Sequence, residues 1–266
     1  MCEVRGWNRQ LLHEVGSPVQ YRWELDGSIQ SINDWLGRRV RISFCGERQC
    51  IACGRRVTKL YQNGYCFPCV TTLAETDLCM VKPHECHLHL GTCRDEQFAA
   101  THCTVPHVVY LGVSSHAKVG ITRKHREVTR WLDQGAVRAT VFAEVPTRRD
   151  AGMLEMEIAK WLPDKTNWRK MVRGEVEEAD LAALAAEAAL RIDEKWLPFV
   201  AQERVVHEFV YPVLGDRETK QKSLSLEQAP VEGLLVGARG QYLLFEEGVV
   251  NIRKHAGMLL EVDELD

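Results

Sequence analysis

Eight of the ten cysteines fall between Cys50 and Cys103, and four of them form two Cys-x-x-Cys pairs. Cys50-x-x-Cys53 and Cys66-x-x-Cys69 are separated by twelve residues in "CIACGRRVTKLYQNGYCFPC". That spacing lets four thiolates surround one tetrahedral ion, and zinc, at about 2.3 Å from sulfur, is the expected occupant. A four-thiolate shell leaves no open position for water or substrate, so a structural role is expected for it. A second stretch, "CMVKPHECHLHLGTCRDEQFAATHC", carries Cys79, Cys86, Cys93 and Cys103 with His84, His87, His89 and His102 among them. One tetrahedral site needs four of these eight. Thiolates bind zinc strongly, so the four cysteines are the expected set, with His87 or His89 as substitutes. One or two structural zinc ions are therefore expected.

The rest of the composition bounds what these groups can serve. The chain has 266 residues, 45% hydrophobic and 27% charged, as a folded protein of one large or several small domains would. A net charge of −3 gives no global attraction to a polyanion, so any nucleic-acid surface must be local. No apolar run approaches the roughly 20 residues of a membrane span. The opening "MCEVRGWNRQLLHEVG" lacks an apolar signal core, so a cytoplasmic location is expected, where clustered cysteines stay reduced and bind metal. Cys2 and Cys45 lie outside the cluster and read as ordinary residues, Cys45 packed at the end of a strand.

The elements that must position these groups are legible in part. "PVQYRWEL" and "RRVRISF" read as strands, with a tight turn at Asp26-Gly27. "HVVYLGV", "AKVGIT" and "ATVFAEV" read as three more. "REVTRWLDQGA" reads as a helix stopped near Gly135, with Trp131 in the core. "RDAGMLEMEIAKWL" reads as another, with Met153, Leu154, Ile158, Trp161 and Leu162 on its apolar face. Leu181, Leu184, Ala188, Ile192 and Trp196 recur at helical steps, so an Ala-rich helix is expected over residues 176–196. Glu175, Glu177, Glu178 and Asp180 suit its first turn. Beyond it, "VVHEFVYPV", "EGLLVGA", "QYLLFEE", "GVVNIRK" and "MLLEV" are short glycine-punctuated strands. They predict a small β-barrel, completed by the N-terminal strands folding back onto it.

The order of residues in the middle of the chain resembles the GIY-YIG nuclease superfamily. Val109-Tyr110 on one strand, Lys118-Val119-Gly120 on the next, a basic helix with Arg126 and Arg130, then Glu155 and Asn167, follow that family's succession over roughly residues 107–170. The resemblance implies that Tyr110 helps deprotonate an attacking water and that Arg130 (or Arg126) stabilises the scissile phosphate. It further implies that Glu155 holds magnesium or manganese and that Asn167 closes the core. Val108-Val109 stand where the family has Gly-Ile, and Lys118 stands where it has its second tyrosine. Across most of the chain, "GTCRDE", "PHVVYLGVSS", "KVGITR", "RWLDQGAV", "DKTNWRKM" and "GQYLLF…GVVNIRKHAGM" are similar to an uncharacterised bacterial family, domain of unknown function 2797.

Together these readings predict an α+β protein. Its parts are an N-terminal β segment (1–46), zinc-ribbon-like modules (47–105) and a GIY-YIG-like α/β sandwich (106–173). A linking helix (174–200) and a C-terminal β domain (201–266) follow. Lys118, Arg123, Lys124 and Arg126, with Lys165, Arg169 and Lys170, would form a local phosphate-binding surface for DNA or RNA. Trp168 could stack a base there. Three functions compete: a metal-dependent endonuclease, a nucleic-acid-binding module that kept the fold and lost cleavage, and a zinc-stapled scaffold for protein partners.

Overall fold

A computed structural model describes residues 3–215 and 221–265 of the chain. Cys2 lies outside the described residues. In chain order, the N-terminal strands are β1 (Glu3–Trp7), β2 (Leu11–Glu14), β3 (Gln20–Leu25), β4 (Ser28–Ser31), β5 (Arg39–Gln49) and β6 (Arg56–Val57). Next come α1 (Phe67–Thr72), α2 (Glu96–His102), β7 (His107–Val113), β8 (Ala117–Arg123), α3 (Glu127–Asp133), β9 (Arg138–Val145) and α4 (Arg148–Ile158). The chain continues through α5 (Trp168–Val172), α6 (Leu181–Arg191), β10 (His207–Glu208), β11 (Lys222–Ser223), β12 (Val231–Arg239), β13 (Tyr242–Phe245), β14 (Gly248–Asn251) and β15 (Met258–Leu265). The chain divides into two compact units, residues 1–71, 172–174 and 209–266 in the first, 72–171 and 175–208 in the second.

The first unit joins the two ends of the chain. β15 pairs antiparallel with both β1 and β5, and β12 pairs with the other edge of β5. The resulting eight-stranded sheet runs β1-β15-β5-β12-β13-β14-β11, with β6 beside β5. The expected return of the N-terminal strands is present, but the expected barrel is not. The path ends at β1 and β11, and no pairing among the described residues closes it. β2, β3 and β4 form a separate meander turning at Asp26-Gly27, both in the left-handed region at φ 47° and 83°. "VVHEFVYPV" is a strand only at His207–Glu208, with one isolated bridge at Val213, because its apolar residues find no continuous partner strand. Cys45 sits within β5 rather than at its end.

The second unit is built on a four-stranded antiparallel sheet in the order β10-β9-β7-β8. All seven residues of β7 are buried, which explains its unbroken apolar run. Strand alternation puts Val109, Leu111 and Val113 on one face with Val119 and Ile121. There they form a core with Ala151, Leu154 and Ile158 of α4 and Leu181, Ala185 and Ala188 of α6. The opposite face carries Tyr110 and Gly112 across from Gly120 and Lys118, with Trp131 of α3 edge-on to Tyr110. Of the expected α4 stripe only Met153 departs, since Trp161 packs against the core from its edge. Met153 is exposed, and Trp161 lies beyond the helix end, half-buried under the Arg191 guanidinium. The Ala-rich helix is shorter than expected. Asp180 caps it by accepting from the backbone of Ala182 and Ala183, and Ile192 turns extended. Glu175, Glu177 and Glu178 therefore precede the helix instead of filling its first turn, and Trp196 is buried from a 3-10 helix, Glu194–Phe199. Among the described residues no helix is long and apolar enough to cross a membrane.

Candidate functional site

The paired cysteines converge in the first unit. Cys50 follows the end of β5, and Cys53 sits in the turn that leads to β6. Cys66 and Cys69 lie at the start of α1. The turns are locked by backbone hydrogen bonds from Gly54 to Cys50 (3.0 Å) and from Cys50 to Arg55 (2.9 Å), and by one from Ile51 to Gly64 (2.9 Å). All four sulfurs lie within 4.8 Å of one another, an arrangement that can hold one zinc ion. Burial alone would raise the Cys50 thiol, but N–H groups of Cys53, Cys66 and Ala52 outweigh it and bring its pKa down to about 6. Cys69 is pushed up instead, first by its hydrogen bond to Cys66 and then by burial. The group thus ionises unevenly without a cation, and a divalent ion held there would let all four thiolates form together.

In the second unit, residues far apart in sequence meet at the face and edge of β7 and β8. The Tyr110 hydroxyl donates to Gln134 Oε1 at 2.9 Å, and the Arg130 guanidinium acts on the Tyr110 hydroxyl oxygen by charge and as a donor. Burial is the main reason that this phenol's pKa is raised. Gly120 makes this packing possible: a Cβ there would stand 2.5 Å from the Tyr110 hydroxyl. Lys118 is 3% exposed. Burial first, then the charge of Arg130, push its pKa down to about 7, against the pull of Glu155 and Asp164. Glu155 is half-buried on α4. Burial and then Asp164 raise its pKa, while Arg130, Lys118 and Arg148 oppose the rise. Tyr110, Lys118, Arg130 and Glu155 are therefore electrostatic neighbours.

Asn167 does not join this group. Its Oδ1 accepts from the backbone N–H groups of Arg169 (3.2 Å) and Lys170 (3.3 Å), so it caps α5. Of the residues expected to meet phosphate, Lys124 is paired with Glu144 (2.7 Å) and Lys170 with Glu177 (2.9 Å). Arg123 donates to the Thr101 carbonyl, and Arg169 lies 4.6 Å over the half-buried Trp168 ring. Arg126 and Lys165 are exposed, whereas Lys118 is buried. Trp131 is core, as expected. Sequence reasoning missed Gln134, Arg148 and Asp164, which act on the central group. Only the placement of Asp164 shortly after the α4 pattern offered a hint.

The second cysteine cluster also belongs to this unit. Cys79, Cys86, Cys93 and Cys103 line one small cavity of about 10 Å³ together with Asp77 and His87. Asp77, Cys79 and His87 have ligand atoms all within 4.8 Å of one another. Burial, then the charges of Asp77, Cys86 and Cys103, push the Cys79 thiol up to about 11. His89 is exposed and not among the cavity's lining residues.

The chain matches the family model described as "Protein of unknown function (DUF2797)" over residues 37–260, and it belongs to that family. Comparison with curated proteins and with solved structures gives no match.

Proposed function

We propose that this DUF2797 member is a zinc-stabilised protein that binds nucleic acid and hydrolyses a phosphodiester bond at the Tyr110, Lys118, Arg130 and Glu155 cluster. The observation that carries the reading is their convergence, from two strands and two helices, on one charged group with a half-buried carboxylate. Two cations, Arg130 and Arg148, surround Glu155, and Lys118 adds a partial charge near neutral pH, so the group suits a phosphate. The carboxylate of Glu155, whose ionisation burial and the nearby Asp164 disfavour, fits one hard divalent cation, which would relieve that cost. Magnesium or manganese there would polarise the phosphate and lower the pKa of bound water.

Arg130 is exposed and offers a planar fork of donors to phosphate oxygens. A hydrogen bond links the Arg130 guanidinium to the Tyr110 hydroxyl. That buried hydroxyl, already donating to Gln134, is poorly set to take a proton from water. The test is incubation of the purified chain with single- and double-stranded RNA and DNA, with magnesium or manganese, beside Glu155→Gln. We expect cleavage to fall by about 10²–10³ in the variant. Undiminished cleavage would remove the assignment. A non-catalytic binding module is the second reading, favoured by Lys118, whose amine stands where the resembling family has a phenol. Binding that weakens with salt, without cleavage in either protein, would select it.

A further inference from the structure

We propose that Asp77, Cys79 and His87, with the neighbouring cysteines of the same cavity, hold a second zinc-class ion, and that this ion fixes the N-terminal half of α4, the helix carrying Glu155. The cavity that the four cysteines line has room for a single atom or ion, at about 10 Å³. The segment around it has little else to hold it. Between residues 72 and 103 the regular structure is four three-residue 3-10 turns and the seven-residue α2. The buried apolar side chains there are only Ala74, Pro83, Ala99 and Cys103. A stretch with so small a core needs a cross-link, and the converging ligand atoms of Asp77, Cys79 and His87, in a cavity that Cys86, Cys93 and Cys103 also line, supply it through an ion.

The neighbours orient the imidazole and the carboxylate toward the Cys79 thiol. His87 Nδ1 lies 2.8 Å from Thr92 Oγ1, and its Nε2 faces Asp77 Oδ1 at 3.5 Å. Asp77 is itself held by Arg94 at 2.7 Å and caps the turn Leu78–Met80. Thr92 thus occupies Nδ1 and Arg94 occupies Asp77 Oδ2, which leaves His87 Nε2 and Asp77 Oδ1 facing each other beside Cys79 Sγ, while Cys93 Sγ donates to the Asp95 carbonyl at 3.4 Å.

The same segment clamps α4. The backbone N–H of Arg148, the first residue of α4, donates to the Cys103 carbonyl at 2.8 Å. Its guanidinium donates to the Met80 carbonyl at 2.7 Å. One turn on, Gly152 lies so close to the Pro83–His84 backbone that a Cβ would stand 2.5 Å from Pro83 Cβ and 2.6 Å from His84 N. Three contacts therefore tie the helix to the segment that carries the ligands and lines the cavity, and losing the ion frees all three. That Glu155 then serves a phosphate rests on the function proposed above; the clamp does not.

The experiment uses the full chain and reads metal and backbone protection, not cleavage. Elemental analysis of protein purified without chelator should give two zinc ions per chain. It should give one for Cys50→Ser/Cys53→Ser and one for Cys79→Ser/Cys86→Ser. Amides of residues 148–155 should exchange at least about tenfold faster in the second variant and not in the first. Should either variant fail to fold, stepwise zinc removal from the wild-type chain, followed by the same exchange measurement, replaces it. One zinc per chain in the wild type, or unchanged α4 exchange when the second ion leaves, overturns the proposal. Two ions and a loosened α4 without any nuclease activity would uphold it while removing the catalytic reading.

Discussion

Alanine at Gly120 should destabilise β7 and β8 by about 2–4 kcal/mol, and most of that cost should run through one hydroxyl. A Cβ on Gly120 would stand 2.5 Å from the Tyr110 hydroxyl, 2.6 Å from Cζ and 3.1 Å from Cε1. Tyr110 cannot retreat to solvent. It is 1% exposed, and the Trp131 ring stands edge-on to it at 6.1 Å. Forcing a methyl group into such a site costs roughly 1–3 kcal/mol. Moving the hydroxyl off Gln134 forfeits a hydrogen bond worth about 1 kcal/mol. Hydrogen exchange of the β7 and β8 amides reads the local change directly, without assuming that the two units of the chain unfold together. The diagnostic is a double-mutant cycle with Tyr110→Phe, which removes the oxygen but leaves Cζ. Gly120→Ala should cost about 1–2 kcal/mol less in that background, since the nearest clash and the lost bond are both gone. An alanine cost below about 0.5 kcal/mol, or equal costs in the two backgrounds, would refute the claim that this hydroxyl fills the space over Gly120.

His107 is fully buried, and burial lowers its pKa to about 4 from an ordinary value of 6.5. The folded state therefore resists the proton that the unfolded chain takes up. This contribution, about 3 kcal/mol, is complete above about pH 6.5 and is lost as pH falls toward 4. Urea unfolding at pH 7.5 and pH 4.5 should show a smaller loss in His107→Phe than in the wild type; equal losses would argue against it. Cys66→Ser should lose the first zinc ion by elemental analysis while keeping the cysteine cluster at residues 79–103 loaded, and loss of all metal would show that the two clusters are not separate. Leu154→Ala, at a fully buried position of α4, should cost about 2–5 kcal/mol by exchange of core amides. A cost under about 1 kcal/mol would mean that α4 does not seal the sheet as described.

Local pattern carried much of this fold, and the misses share one cause. The hairpin at Asp26-Gly27 was legible because both residues suit left-handed backbone, which few other dipeptides do. The succession β7, β8, α3, β9, α4 was legible because its apolar period switches cleanly between two and three or four residues. "VVHEFVYPV" has strand periodicity as good as that of "ATVFAEV", yet one pairs along eight residues and the other along two. Periodicity shows that a segment could pair, whereas a strand needs a neighbour with an open edge, and that is a property of the whole sheet. The barrel failed for the same reason. Closure requires the last strand to meet the first, and the edge strands here, β1 and β11, lie at opposite ends of the path.

Lys118 shows how far the site itself could be read. Its strand parity sets it opposite Val119, on the face away from the apolar core, and a lysine there reads as a solvated phosphate contact. The second face of the sheet is also covered, by Trp131 of α3 against Tyr110, and Lys118 is buried along with it. Coverage changes the chemistry of the group more than its charge does. A surface lysine stays cationic and adds salt-dependent affinity. A buried one beside Arg130 has a pKa near 7 and is close to half neutral at neutral pH. The difference is measurable at the proposed site. If Lys118 acted only as a fixed cation, Lys118→Arg would preserve nucleic-acid binding at every pH. With the pKa lowered as the geometry requires, wild-type binding should weaken between about pH 6 and 8 as the amine loses its proton, while Lys118→Arg stays flat. Parallel pH profiles for the two proteins would return Lys118 to the role that its sequence position alone assigns.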